Sequence, residues 1–156
     1  MIKRCAFMMW LCLAGNAQAD FTGKVVKVID GDTVDVLNGG RAHRVRLAGV
    51  DAPESGQPFG QRSKQNLLNL TAQKQTEVIT DTTDRYGRWL GTVIVNGINV
   101  NAEQVKAGMA WAYRYHGKAV DSSALSLEQQ AREMKLGLWS DPRAIEPWKW
   151  RQHHKH

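Results

Sequence analysis

Apolar residues alternate or cluster in short stretches along most of the chain, and glycine, asparagine and aspartate punctuate them. Val25-Val26-Lys27-Val28-Ile29 and Val34-Asp35-Val36-Leu37 read as two strands joined by the tight polar turn Asp30-Gly31-Asp32-Thr33. Asn38-Gly39-Gly40 supplies a hairpin turn, because glycine reaches positive φ at no steric cost. A third strand follows, with Val45 and Leu47 on one face and Arg44 and Arg46 on the other. The period then becomes helical: Pro58 suits a first turn, and Phe59, Ser63, Leu67 and Leu70 share a stripe. Glu77-Val78-Ile79 predicts a strand, and Trp89 to Val95 and Ile98 to Val100 flank the hairpin signal Asn96-Gly97. Asn101 is the expected cap of a short helix, with Gln104 at its third position and Gly108 at its end. Ser126 opens a last helix, with Leu127, Ala131, Met134 and Leu138 on one face and Gly137 near the stop.

Three strands, a helix, two strands and two helices predict an α+β, mainly β fold. Its expected form is a five-stranded Greek-key barrel of the oligonucleotide-binding (OB) type with about three packed helices. The strand count follows from the pattern; closure of the barrel does not.

Composition changes this picture chiefly at the N-terminus. Lys3 and Arg4 precede an apolar run from Cys5 to Ala14, and Ala17-Gln18-Ala19 supplies a small-x-small cleavage pattern. Residues 1–19 are therefore expected to be an export signal cut before Asp20, since the run is short for a bilayer span. Both cysteines, Cys5 and Cys12, lie in that segment, so the mature chain is an exported protein without disulfides, periplasmic or secreted. The leader carries two basic and no acidic residues, so formal net charge falls from +6 to +4, 19 basic against 15 acidic. A modest positive charge suits a polyanionic partner. Of the 156 residues, 42% are hydrophobic and 23% charged, as in an ordinary folded domain, and no repeat or disordered segment stands out. Residues 20–145 read as that domain, and 146–156 as a basic, aromatic tail.

The chemistry is concentrated between Asp30 and Glu54, where Asp30, Asp32, Asp51 and Glu54 lie at strand ends with Arg46 among them. Such oxygens suit a hard cation such as Ca2+, while the lack of any cysteine or paired histidines nearby disfavours a structural zinc site. Asp84-Arg85-Tyr86-Gly87-Arg88 adds guanidinium forks that match phosphate oxygens. A carboxylate that orients water and cations that stabilise charge on phosphorus are the requirements of phosphodiester hydrolysis. Each feature alone has an ordinary alternative: Asp-Gly-Asp as a turn, the second segment as a solvated loop, Arg46 as surface.

Together they form a pattern. Val28-Ile-Asp-Gly-Asp-Thr-Val34, Val45-Arg-Leu-Ala-Gly-Val-Asp-Ala-Pro-Glu54, Asp84-Arg-Tyr-Gly-Arg88 and Val105-Lys-Ala-Gly-Met-Ala110 occur in this order. From Phe21 to about Trp139 the chain resembles the staphylococcal nuclease (thermonuclease) family. Gly137-Leu-Trp-Ser-Asp-Pro142 and Pro147-Trp-Lys-Trp150 look like the ending of exported bacterial members. The resemblance implies that Asp32, Asp51 and the Ala52 carbonyl ligate calcium, with Asp30 just outside. It casts Glu54 as general base and Arg46 and Arg88 as the phosphate-binding arginines. Arg85, Tyr86, Tyr113 and Tyr115 fall at substrate-side positions, the tyrosines reading equally well as packing residues. Two departures are alanine at position 52, where some members carry threonine, and Arg85, where the type member has lysine.

The implied activity is calcium-dependent cleavage of DNA and RNA with little sequence specificity, leaving 3′-phosphates, by a monomer free of the membrane once the signal is removed. The alternative is a non-catalytic nucleic-acid-binding OB module, which the presence of all five key residues argues against; a role in plasmid transfer is left open. In the tail, Trp148, Lys149, Trp150 and Arg151 either hold a nucleic-acid strand or pack back on the barrel, the latter being preferred, and His153, His154 and His156 are expected to fray.

Overall fold

A computed structural model describes residues 20–154 of the chain; the expected export signal and His156 lie outside them. The described residues form ten strands, five of them only two residues long: β1 (Phe21–Asp30), β2 (Thr33–Asn38), β3 (Arg41–Leu47), β4 (Val50–Asp51), β5 (Gln75–Thr83), β6 (Trp89–Val95), β7 (Ile98–Asn99), β8 (Trp111–Ala112), β9 (Arg114–Tyr115) and β10 (Lys118–Ala119). The helices are α1 (Gly60–Thr71), α2 (Val100–Lys106), α3 (Ser122–Glu133) and α4 (Pro147–His153), with a 3₁₀ turn at Gly137–Ser140. None of the described helices is long and apolar enough to cross a membrane.

Strands β3, β2, β1, β5 and β6 follow one another in the main sheet, and a parallel pairing of β3 with β6 closes it into a five-stranded barrel. The mainly β OB architecture expected from the pattern is thus present. Its interior is filled by the alternating apolar positions: Val25, Val34, Val36, Val45, Leu47, Val78 and Val93 are all buried. β1 is longer than its apolar run because it pairs twice, its first residues with β5 and the remainder with β2, with irregularities between Val25 and Lys27 and between Val28 and Asp30. Such bulges bend a strand from one neighbour toward the next.

The helices differ from the sequence pattern in instructive ways. α1 begins at Gly60 rather than at Pro58, because a tight loop intervenes and leaves Phe59 left-handed at φ 71°. Ser63 and Leu67 form its buried stripe as expected. α2 is capped by Asn99, whose side chain accepts from the Ala102 N–H at 3.1 Å. Asn101, the expected cap, is buried instead; it accepts from Val93 N and donates to the carbonyls of Ala48 and Gly91. It ties β6 to the turn that leads into β4.

α3 starts four residues earlier than expected, since Asp121 rather than Ser126 caps it, accepting from Ser123 N at 2.8 Å. It ends at Glu133, and Lys135 turns left-handed at φ 52°. Met134 is therefore exposed, and Leu138 reaches the core from the 3₁₀ turn and not from the helix. A fourth helix occupies the tail. Pro147 at its first turn sets the helical φ, and the helix runs to His153 where a frayed end was expected. Trp148 and Trp150 are half-buried, as the packing reading of the tail required.

Candidate active site

The site is assembled from four pieces of chain. The first piece is the β1–β2 turn. Asp30 Oδ1 accepts from Asp32 N at 3.0 Å, and Gln104 of α2 donates to the Gly31 carbonyl at 2.6 Å while accepting from Asn66 of α1. Gly31 is where the turn meets α1: a Cβ there would lie 1.9 Å from Ser63 Oγ and 2.8 Å from Ala52 Cβ. Gly31→Ala is therefore expected to cost about 1–3 kcal/mol by overpacking and to displace Asp32. Urea unfolding measures this, and an unchanged midpoint would show that the turn has room.

The second piece is the end of β3. Thr33 pairs with Arg46 across β2 and β3, which sets Arg46 beside Asp32. Arg46 Nη1 donates to the carbonyls of Leu47 and Val50 at 3.0 and 2.7 Å, and Nη2 lies 3.3 Å from Asp32 and 3.2 Å from Asp51. This guanidinium is clamped on three sides. Asp32 also accepts from the Ala52 N–H at 2.8 Å, bringing the third piece, β4 and the loop after it, against the first. Burial pushes the Asp32 carboxyl up to about 6, against the opposing pull of Arg46 and with a further push from Asp30.

Asp51 sits almost fully buried on β4, paired across the short ladder with Trp111 of β8. Glu54 follows on the loop before α1. Its N–H donates to Gln57 Oε1 at 3.1 Å, and Gln57 is itself buried and donates to the Ile145 carbonyl. Gly60 closes this loop: a Cβ there would lie 2.0 Å from the Glu54 carbonyl oxygen.

The fourth piece is the β5–β6 loop. Asp84 Oδ2 accepts from Arg88 Nε at 2.7 Å, and Oδ1 accepts from the N–H groups of Tyr86 and Arg88. Burial pushes the Asp84 carboxyl up, but the Arg88 guanidinium and those N–H donors outweigh it and hold the group below the ordinary aspartate range. Arg85 and Arg88 both lie against the Tyr86 ring, 4.8 and 5.5 Å from its centre.

These pieces face one open cleft of about 730 Å³. Asp30, Asp32, Arg46, Ala52, Glu54 and Arg88 all line it, as do Arg85, Tyr86 and Tyr113. Asp51 lies just beneath, bonded to Arg46. Tyr115 is on the β9–β10 hairpin with its ring against His116, outside the cleft lining. Among the described residues no three His, Cys, Asp or Glu side chains gather as a ligand group of their own. An oxygen-ligated cation here would draw on Asp32 and Asp51, completed by the Ala52 carbonyl and water, a donor set that calcium accepts.

Three contributors had no clear mark in the sequence. Gln57 and Gln104 are neutral polar residues whose burial alone reveals their bracing role. Arg151 of α4 also lines the cleft: its Nη1 lies 3.0 Å from Asp51 Oδ1 and 2.8 Å from Glu54 Oε1, and its Nη2 2.8 Å from Asp51 Oδ2. Its sequence signal was the interleaving of Trp148, Lys149, Trp150 and Arg151, which marks a tail that binds a strand or packs back without pointing to Asp51 or Glu54.

Comparison with known proteins bears on the family to which the chain belongs. The family model described as "Staphylococcal nuclease homologue" matches residues 44–141. The chain is 49% identical to Protein ParB of Escherichia coli, over 97% of this chain and 91% of that protein. It is 48% identical to a micrococcal nuclease of Shigella flexneri, over 97% of this chain and 92% of that protein. A plant protein, the staphylococcal-like nuclease CAN1 of Arabidopsis thaliana, is 37% identical over 70% of this chain and 33% of its own length. With the barrel fold, a family model over residues 44–141, and two relatives nearly half identical over 97% of this chain, the chain belongs to the staphylococcal nuclease family.

Proposed function

We propose that the protein is an exported, calcium-dependent nuclease that hydrolyses phosphodiester bonds of DNA and RNA with little sequence specificity and leaves 3′-phosphate products. The observation that carries this reading is the convergence of Asp32, Arg46, Asp51, Glu54 and Arg88 at one cleft from four separated pieces of chain.

Asp32 and Asp51 would hold the cation with the Ala52 carbonyl, to which no hydrogen bond is made among the described residues. The bound cation supplies positive charge next to the phosphate oxygens. Glu54, on its braced loop, accepts the proton of the attacking water. Arg88 uses only Nε for Asp84, so the ends of its guanidinium serve the phosphate as charge builds on it. Arg46 faces the same oxygens from the cleft floor. Contacts of this kind go to the backbone of the nucleic acid and read little sequence. A cleft of this size takes an unstacked strand, so single-stranded or frayed substrate is expected to be preferred. Tyr86 and Tyr113, exposed at the rim, offer faces for bases.

The test uses the mature chain, residues 20–156, with plasmid DNA and with RNA, in calcium or in chelator. Degradation that needs calcium, with 3′-phosphate ends, is the expected result. Retarded DNA that stays intact in calcium would instead make the protein a binding module.

A further inference from the structure

Asp51 is almost fully committed. Oδ1 accepts from both Arg46 and Arg151, and Oδ2 accepts from Arg151. Guanidinium donors thus take all but one of its roughly four lone-pair sites, so a cation that takes Asp51 as ligand competes with them for the carboxylate. The two arginines are not equal candidates. Arg46 is 13% exposed and is fixed by the Leu47 and Val50 carbonyls as well as by carboxylates. The Arg151 side chain is 41% exposed, sits on α4, and among the described residues is bonded only to Asp51 and Glu54.

We propose that Arg151 is the resident counter-ion of this site: its guanidinium holds Asp51 and Glu54 in the cation-free protein and yields Asp51 when a divalent cation binds. The inference rests on the reading of Asp32 and Asp51 as cation ligands. α4 thereby sets the affinity of the site from outside the barrel. Cation binding must work against the Arg151–Asp51 fork, which lowers apparent affinity.

Calcium titration by calorimetry on the mature parent, Arg151→Ala and Arg151→Lys tests this, together with the melting temperature of each with and without calcium. Arg151→Ala is expected to bind calcium at least about tenfold more tightly, the equivalent of about 1.4 kcal/mol. It should melt lower than the parent without calcium and show the larger calcium-induced rise. Arg151→Lys keeps the charge but cannot span both carboxylates with a fork, so its affinity should fall between the two. It also serves if the alanine variant does not fold. Equal or weaker calcium binding by Arg151→Ala and Arg151→Lys, with the parent binding normally, overturns the counter-ion role. Absence of calcium binding by parent and variants alike removes the cation site itself, and the proposal with it.

Discussion

Replacing Arg88 with alanine is expected to lower phosphodiester cleavage by about 10³-fold or more while changing stability by less than about 1 kcal/mol. The two halves of that expectation have separate causes. Activity falls because a charge-matched fork is lost where negative charge develops. Stability is nearly unchanged because the Arg88–Asp84 pair, at 2.7 Å, is partly exposed and joins residues four apart on one loop. Asp84 keeps its bonds to the backbone N–H groups of Tyr86 and residue 88 in the variant, so the loop stays closed.

Arg46→Ala makes a useful contrast. It too should lose activity by orders of magnitude, but it leaves Asp32 and Asp51 buried with less countercharge and strips donors from the Leu47 and Val50 carbonyls. Removing one partner of a buried charge network costs about 3–5 kcal/mol. Kinetics and urea unfolding on both variants therefore separate a residue proposed to bind the phosphate alone from one that also holds the floor of the site. A fully active Arg88→Ala would remove Arg88 from the assignment.

The parts of the molecule that could be read from sequence are those where function and local pattern coincide. β2 and β3 are legible because Val34, Val36, Val45 and Leu47 alternate with polar residues around a glycine turn. Asp30 to Glu54 is legible as a site because its carboxylates lie within 25 residues of one another. Closure of the barrel is not legible, since the parallel pairing of Val45 with Trp89 joins strands that carry no mark of their partner. The same is true of Asn101. It stands where a cap is expected, yet the backbone groups of Ala48, Gly91 and Val93 outcompete the helix end for its amide. Arg151 is the extreme case: 100 residues separate it from Asp51, and its basic, aromatic surroundings suit a solvent-facing tail as well as a docked helix.

Glu128→Ala is expected to be the most damaging single change outside the cleft, costing about 3–5 kcal/mol of a stability that in domains of this size is typically about 5–15 kcal/mol. Glu128 is 1% exposed, on α3. It accepts from Ala112 N at 2.8 Å, from both ends of the Arg114 guanidinium at 2.9 Å, and from Arg132 at 2.7 Å. Burial pushes its carboxyl up, but Arg114, the Ala112 N–H and Arg132 together hold it below the ordinary glutamate range. The stability this provides is present above the unfolded group's value, about 4.3, and is lost as pH falls through the lower folded value. The parent should therefore lose stability in acid more steeply than the variant. The consequence reaches the site as well. Ala112 pairs with Val50 and Trp111 with Asp51, so the bond to Ala112 anchors the ladder that presents Asp51. Arg114 also lies 5.4 Å from the centre of the Trp148 ring on α4, the helix that carries Arg151. Loss of Glu128 should thus loosen both sides of the Asp51–Arg151 pair at once. Glu128→Gln, which retains an acceptor for Ala112 N but no charge, should lose less. Thermal melts from pH 3 to pH 8 decide the matter, with a drop of roughly 10–20 °C expected for the alanine variant at neutral pH. A variant that melts within about 3 °C of the parent would show that the ion pairs of Glu128 only offset the cost of burying it.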